Sequence, residues 1–269
     1  MSHDPQHGTT TSADGTTIAW TRRGSGPVLV LVEPVMMHRG LTAFADLAPA
    51  LAEQATVVTY DRRGKGESGD AEAYEPDREV EDLAALVAEH GGSARLYGFS
   101  SGATLALLAA RDVAGVTGVV ALEPVLADDG PDVRDEIRAL VREGRRGDAV
   151  RTFNRRIGIP EEVVAQIPTG PGEPAAHTLP YDLTLTGRTR AADLAAITCP
   201  TLVLASSGSD DRLRGWAREV EQAVPGRSTV SSPGAGTAST GTPWWPRSAR
   251  PDGSPPPPHQ HRRPAPLPR

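Results

Sequence analysis

Short apolar runs alternate with longer amphipathic stretches along most of the chain. Runs in which nearly every residue is apolar are typical of parallel strands buried on both faces, and apolar residues recur between them at helical spacing. The pattern predicts an α/β fold with a mostly parallel sheet and helices on both faces. The predicted strands are Thr16–Arg23, Pro27–Glu33, Thr56–Tyr60, Ala94–Tyr97, Val116–Glu123, Pro200–Ala205 and the start of a further strand, Arg227–Val230. The predicted helices are Leu41–Leu51, Glu79–His90, Leu105–Ala110 and Arg212–Ala223.

The alternation stops between the strand that ends at Glu123 and the strand that begins at Pro200. Two short, charged helices are predicted there, over Val133–Glu143 and Asp148–Arg156, and a stretch rich in Pro and Gly follows. The sequence therefore predicts a core formed by residues 1–126 and 190–231, with a helical insertion at 127–189. His177 and the pair Tyr181-Asp182 stand near the end of the insertion, where contact with a substrate is an open alternative.

The C-terminal segment, residues 232–269, has a different composition from the rest. From Ser232 onward it contains eleven prolines and neither valine nor isoleucine. Such a segment cannot supply the apolar face of a strand or helix, so we expect a disordered tail and a fold whose last strand and helix are missing. The alternative is a genuine Pro-rich ligand, because Pro255–Pro258 favours the polyproline II conformation that aromatic grooves bind.

Length and charge narrow the classes of function. The chain has 269 residues and a net charge of −6, with no basic face, which argues against nucleic acid as a partner. No apolar run is long enough to cross a bilayer, and the N-terminus lacks a signal pattern, so we expect a cytoplasmic protein with no membrane partner. The one cysteine, Cys199, cannot form an internal disulfide and fits a reducing compartment.

The stretch from Ala94 to Ala110 carries the chemistry. Gly98-Phe99-Ser100-Ser101-Gly102 fits the pattern G-x-S-x-G between a predicted strand and a predicted helix. Glycines on either side of a serine let neighbouring backbone pass closely at a sharp turn, and the helix directs its free N–H groups towards the serine. The stretch resembles the nucleophile elbow of the α/β-hydrolase fold, with Ser100 as the nucleophile. The alternative is a tight Gly/Ser turn in another α/β protein.

The resemblance extends over roughly Thr11 to Val230. It includes YDRRGKGESG, LEP at the end of the Val116 strand and PTLVL at the next strand, and it is closest to esterase-like members of the α/β-hydrolase family. It implies a serine hydrolase that acts on a small ester, or on an amide or lactone, through an acyl-enzyme on Ser100. It further implies that the insertion is a lid, and that no metal and no other cofactor takes part. Asp61 is expected to fix its loop. The oligomeric state is not indicated.

The resemblance also points to the residues that would assist Ser100. The backbone N–H groups of Ser101 and Val35 are expected to form the oxyanion hole, since Pro34 has no N–H to donate. Two carboxylates are candidates for the acid. Asp211 stands in the G-x-x-D position after the Pro200 strand, and Glu123 ends the Val116 strand. Paired aspartates before a helix also serve as N-caps, so the choice stays open.

The catalytic histidine is absent from its expected place after the last strand. His259 and His261 follow far beyond it, and the other candidates are His38, His90 and His177. Codons for Val230–Ala238 in a GC-rich gene, read in the neighbouring frame, allow L-L-P-G-x-x-H-G, with the histidine spanning the Gly236–Thr237 codons. We therefore hypothesise a frameshift near residues 228–231. The chain as printed is expected to be an impaired hydrolase. The alternative is a non-catalytic relic or a small-molecule binding protein of the same fold.

Overall fold

The computed structural model describes residues 4–224 and 227–232 and contains one eight-stranded sheet. The strand order is β1-β2-β4-β3-β5-β6-β7-β8; β1 and β2 are antiparallel to their neighbours, and all later pairs are parallel. This confirms the predicted fold class. The strands are β1 Gln6–Thr11, β2 Thr17–Arg23, β3 Val28–Val32, β4 Thr56–Tyr60, β5 Ala94–Phe99, β6 Val116–Leu122, β7 Thr201–Ser206 and β8 Arg227–Ser232.

Helices cover both faces of the sheet, because alternate residues of each strand point to opposite sides. Val30 and Val32 of β3 join the large apolar cluster that includes α2, α3 and α8, whereas Leu31 packs with Phe44 and α1 on the other face. The helices are α1 Leu47–Leu51, α2 Pro76–Glu89, α3 Ser101–Asp112, α4 Arg134–Arg142, α5 Arg146–Arg156, α6 Glu161–Val164, α7 Leu179–Arg188 and α8 Asp211–Ala223, with 3-10 turns at Gly170–Thr178 and Ala191–Leu194. None of the helices in residues 4–224 has both the length and the apolar character to cross a bilayer.

Helix α3 lies at the centre of the fold. Every residue from Ser101 to Ala110 is buried, and the helix packs against β5, β6 and β3 as well as α2 and α7. Small side chains such as Ala103 and Ala106 allow the helix to approach the sheet closely. The N-terminus of α3 is therefore fixed by its packing, and so is the residue that precedes it.

Two predicted elements differ at their ends. The stretch Leu41–Leu51 was expected to be helical throughout, but the helix begins only at Leu47. Leu41 instead pairs with His38 in an isolated bridge. The Glu33 carboxylate accepts the Ala43 N–H at 3.1 Å, and the Thr42 hydroxyl accepts the Phe44 N–H at 2.9 Å, so these side chains hold a turn that precedes the helix. At the N-terminus, β1 was not predicted as a strand, and it forms by antiparallel pairing with β2.

The final strand is longer than expected. Only the start of a strand was predicted at Arg227–Val230, with no complete last strand, yet Arg227–Ser232 pairs in parallel with β7 along six residues. The closing helix and the proline-rich tail, residues 233–269, lie outside the described residues.

The insertion contains α4 to α7, and its helices form an apolar cluster of their own with Val35 and Met36 of the core. Its last helix, α7, was not predicted as a helix. Leu179 begins it, Pro180 occupies its first turn and Arg188 ends it, an arrangement that is favourable at both ends.

The buried carboxyl group of Glu33 makes the stability of the protein depend on pH. Its carboxyl group is fully buried, and burial raises its pKa from 4.5 to about 7, against the opposing effect of hydrogen bonds from Thr42 and Ala43. The folded protein thus holds this proton more tightly than the unfolded chain. The resulting stabilisation is complete below about pH 4.5 and is lost as the pH rises through about 7.

We predict that Glu33→Gln, which cannot ionise, gains stability relative to the parent protein as the pH rises. The gain in the free energy of unfolding between pH values of about 5 and about 8 should be roughly 2–3 kcal/mol. Urea unfolding at the two pH values measures it. A difference between the two proteins that does not change with pH would contradict the assignment.

Candidate active site

Ser100 occupies a strained turn between β5 and α3. Its backbone has φ 55° and ψ −123°, in the left-handed region that a residue with a side chain rarely adopts. A Cβ atom on Gly98 would lie 2.3 Å from the Gly102 carbonyl oxygen, and one on Gly102 would lie 2.3 Å from the Val32 carbonyl oxygen. Both glycines are therefore required by close backbone approach, which is the mechanical reason for the pattern G-x-S-x-G.

Backbone strain is concentrated at one edge of the sheet. Among the described residues other than glycine, only Met36, Ser100 and Glu123 have a positive φ, between 50° and 60°. They follow β3, β5 and β6, which are neighbours, at the carboxyl ends of the strands. Strain of this kind persists only where the surrounding structure enforces it, and it is typical of functional sites. The carboxyl edge of these three strands is thus the candidate site.

A cavity of about 120 Å³ opens at this edge beneath the insertion, and Ser100 lines it. Its wall is mainly apolar, with a charged group formed by Arg156, Arg212 and Asp128. The core contributes Pro34, Val35, Phe99, Ser100, Ser101, Val125, Leu126, Asp210, Arg212, Leu213 and Trp216; the insertion contributes Asp128, Phe153, Arg156, Ile157, Ile159, Asp182, Leu183, Thr186 and Gly187.

The two expected oxyanion donors lie along this cavity. Ser101 is the first residue of α3, where backbone N–H groups have no partner within the helix. Val35 follows β3 and borders the same cavity, and within residues 4–224 its N–H makes no hydrogen bond. The structure therefore brings Ser100, Ser101 and Val35 to one cavity.

The candidate acids have contrasting surroundings. Glu123 is 2 % exposed and accepts a hydrogen bond from the Ser209 hydroxyl on the loop after β7. Asp211 has a side chain that is 95 % exposed and pairs with Arg214 on the next turn of α8. The neighbouring Asp210 borders the cavity, but its carboxylate caps α8 by accepting the Leu213 N–H at 2.8 Å. Glu123 is thus held within the core, whereas Asp211 lies at the surface.

None of the described histidines borders the cavity that Ser100 lines. They are His7, His38, His90 and His177, the four in residues 4–224. His177 faces Asp70 at 3.5 Å, and the His90 ring packs edge-on against Trp20, where burial lowers its pKa. His259, His261 and the position after β8 lie outside the described residues.

The loop after β4 supplies a buried group of charges that reaches Asp182 in the cavity wall. Arg62 is fully buried and binds Glu79 through two contacts of 2.7 Å. Its Nη1 donates to Asp182 of α7 at 2.7 Å, and the Lys65 Nζ donates to the other carboxylate oxygen of Asp182 at 3.0 Å. Burial alone would raise the pKa of Asp182, but the two cations outweigh it and lower the pKa to about 2. Asp182 is therefore a buried carboxylate in its charged form.

Asp61, which precedes this group, fixes the loop as expected. Its carboxylate accepts the backbone N–H of Arg39 at 2.7 Å and that of Glu67 at 2.8 Å. A Cβ atom on Gly66 would lie 2.3 Å from the Asp61 carboxylate, so the turn needs glycine there. The role of Asp61 is structural.

Sequence reasoning did not identify the contact between this loop and α7. Lys65, the single lysine of the chain, follows a buried strand together with Arg62 and Arg63, and all three are at most 2 % exposed. Three cations directly after a buried strand require buried anions. The run of cations after the strand therefore indicates that buried anions exist. It does not identify Asp182, more than one hundred residues away, as one of those anions.

Comparisons with known proteins agree with the fold. The sequence model described as the alpha/beta hydrolase family matches residues 34–252. An alpha/beta hydrolase from Sphaerobacter thermophilus DSM 20745 has 41% sequence identity and a TM-score of 0.78, over 83% of this chain and 91% of that one. A thermophilic esterase from Thermogutta terrifontis has 23% identity and a TM-score of 0.64, over 85% and 90%, and supports the fold alone.

A hydrolase of Bacillus subtilis (strain 168), YraK, described as uncharacterized, is 36% identical over 125 residues. The match covers 44% of this chain and 44% of that relative, so the aligned region is less than half the length of the relative.

Gly98 and Gly102, the glycines of the turn at Ser100, allow a test of the close backbone approach. Gly102→Ala should lower the free energy of unfolding by about 3 kcal/mol or more, because the new methyl group would collide with two backbone carbonyl oxygens. Gly215→Ala is the matched control: Gly215 lies in α8 with open space around it, so alanine should stabilise the helix by roughly 0.5–1 kcal/mol. Chemical denaturation measures both. Equal and small effects would contradict the close approach at the elbow.

Proposed function

Because the chain belongs to the alpha/beta hydrolase family, we propose that it is a serine hydrolase built to cleave a small ester, with Ser100 as the nucleophile. The observation that carries the proposal is the strained turn that presents Ser100 to a mainly apolar cavity beneath the insertion, with two backbone donors beside it. The insertion acts as the lid of this cavity.

The chemistry follows from these positions. The Ser100 hydroxyl attacks the ester carbonyl, its proton passes to a base, and the N–H groups of Ser101 and Val35 stabilise the negative oxygen that develops. The alcohol then leaves with a proton, and water releases the acyl group from Ser100 by the same route. Every step that moves a proton needs a base near Ser100.

The size and lining of the cavity favour a small substrate. About 120 Å³ suffices for a group near the size of a benzene ring, which an apolar cavity of about 150 Å³ admits. The mainly apolar wall favours an ester with uncharged groups on both sides, and proteins of the same fold include two esterases and an enol-lactonase. We propose that the protein acts on a small molecule in the cytoplasm.

Glu123 is the better candidate for the acid. A triad acid orients the histidine and does not touch the substrate, so a buried position behind the cavity suits it. Glu123 is buried, held by Ser209 and strained at φ 50°, whereas the exposed Asp211 carboxylate is engaged with Arg214. Any histidine in the loop after β8 would follow directly on the strand that pairs with β7.

We propose that the printed chain lacks the base, because none of the four histidines in residues 4–224 borders the cavity and the sequence after β8 has no histidine before His259. We propose that the ending from about residue 228 derives from a frameshift, and that the neighbouring frame supplies the histidine at the Gly236–Thr237 codons. A coding strand whose alternative frame gives no histidine at that junction would reject this explanation of the tail.

The second candidate function is binding without catalysis. It is favoured by the absence of a histidine from the expected place after the last strand. Loss of one triad member removes most of the catalysis and leaves the binding groups in place. Turnover by the chain as printed distinguishes the two candidates.

We predict that the printed chain hydrolyses p-nitrophenyl butyrate at close to the background rate. Replacement of its ending by the alternative-frame sequence should raise kcat/KM on the order of 10⁴-fold, since that is the scale lost with a catalytic base. Release of p-nitrophenol measures the rate, and Ser100→Ala in the repaired chain is the control that should abolish the gain. Full turnover by the printed chain would show that another residue serves as the base.

Exogenous imidazole provides a test in the printed chain itself. A small base that enters the cavity should raise the Ser100-dependent rate at least about tenfold. Subtraction of the rate with Ser100→Ala removes hydrolysis by imidazole in solution. Failure of both imidazole and the repaired ending would favour the binding protein over the enzyme.

The two acids can be separated in the repaired chain. Glu123→Gln should lower kcat on the order of 10³-fold, because a neutral amide cannot hold the histidine in the right tautomer. Asp211→Asn, the control, should leave kcat within about twofold, as expected for a surface carboxylate. The reverse ranking would assign the role to Asp211.

A further inference from the structure

The buried charge group contacts both sides of the proposed oxyanion hole. Arg62 Nη1 lies 3.3 Å from the carbonyl oxygen of Glu33, two residues before Val35, and 3.3 Å from the hydroxyl of Ser101. The same nitrogen donates to Asp182 at 2.7 Å. One guanidinium nitrogen therefore connects the segment after β3, the first residue of α3 and the lid helix α7.

Asp182 completes the connection from the lid. Its Oδ1 accepts the Ser101 hydroxyl at 2.6 Å in addition to Arg62, and its Oδ2 accepts Lys65. Both oxygens are thus engaged by protein donors, although the residue borders the cavity. The carboxylate acts through its neighbours and not on the substrate.

These contacts of Arg62 and Asp182 lie next to the two residues whose N–H groups would form the oxyanion hole, Ser101 and Val35. The Glu33 carbonyl belongs to the peptide bond that joins Glu33 to Pro34, so a fixed carbonyl fixes the path into Val35. The Ser101 hydroxyl is bound by Asp182 and Arg62, which holds the first turn of α3 at the residue whose N–H is needed. An oxyanion hole is effective only if its donors are already in place when charge develops.

We infer that Asp182 is a positioning residue by which the seated lid aligns the oxyanion hole, acting through Arg62 and Ser101. The inference rests on the proposed function, since it concerns the donors assigned there. Its consequence is that a change confined to a lid side chain alters the binding of a negative oxygen more than the binding of a neutral group in the same cavity.

The test compares two ligands of the full printed chain by calorimetry. Phenylphosphonate presents anionic oxygens on a tetrahedral centre, and benzyl alcohol presents a similar ring without charge. Asp182→Asn should weaken phenylphosphonate at least about tenfold, the scale of a disturbed hydrogen bond to a charged group, and leave benzyl alcohol within about twofold.

Thr184→Val is the matched control. Thr184 lies on the same helix, is 5 % exposed and donates to the Pro180 carbonyl oxygen at 2.7 Å, outside the network. It should change neither affinity. A control that weakens phenylphosphonate as much as Asp182→Asn does would show that any disturbance of α7 suffices, and would overturn the specific role.

Ser101→Ala covers the case in which Asp182→Asn fails to fold, because removal of one partner of a buried ion pair is costly. This variant keeps Asp182 paired with Arg62 and Lys65 and removes only the contacts of the Ser101 hydroxyl with Asp182 and Arg62. It should weaken phenylphosphonate about threefold or more and spare benzyl alcohol.

The possible outcomes distinguish failure of the role inferred for Asp182 from failure of the proposed hydrolase function. Phenylphosphonate that binds the parent and both variants equally would overturn the role of Asp182 and leave the hydrolase proposal intact. Equal weakening of both ligands would reduce Asp182 to a structural role. A parent chain that binds benzyl alcohol but no phenylphosphonate would reject the assigned donors, and the inference with them.

Discussion

The close approach of α3 to the sheet is the constraint on which the site depends. Where the helix starts, backbone atoms of β3, β5 and α3 meet with no room for a single methyl group at Gly98 or Gly102. The chain can turn there only by placing Ser100 at positive φ, and the buried helix behind it prevents relaxation. The strain is thus maintained by core packing, and it places a half-buried Ser100 at the cavity, beside N–H groups at the start of α3 that have no partner within the helix.

A second constraint comes from burying charge. Arg62 and Lys65 lie in the interior after β4, where an unpaired cation would be very costly, and their anions come from α2 and from α7 of the insertion. Helix α7 is therefore tied to the core by a specific contact as well as by apolar packing. Because Ser101 joins the same carboxylate, the groups that hold α7 and the first residue of α3, next to Ser100, form one network.

Local pattern was sufficient for most of the fold and for the elbow. Apolar runs located the central strands, and G-x-S-x-G between a strand and a helix located Ser100, because those features depend on neighbours in sequence. The start of α1 was missed because Leu41 pairs with His38 and because Glu33 and Thr42 hold a turn at residues 43 and 44, and α7 was missed because its partners lie in a distant loop. Contacts such as Asp182 with Arg62 are set by tertiary packing, and no local pattern specifies them.

We propose that Ser100 is a competent nucleophile in a chain whose own base is missing. Peptide mass spectrometry of the printed chain after exposure to p-nitrophenyl butyrate, with and without imidazole, can detect the acyl group on Ser100. We expect a butyryl group on the Ser100 peptide that accumulates with imidazole and is nearly absent without it. Rapid acylation of Ser100 without imidazole, or a butyryl group that forms only on another residue, would rule the proposal out.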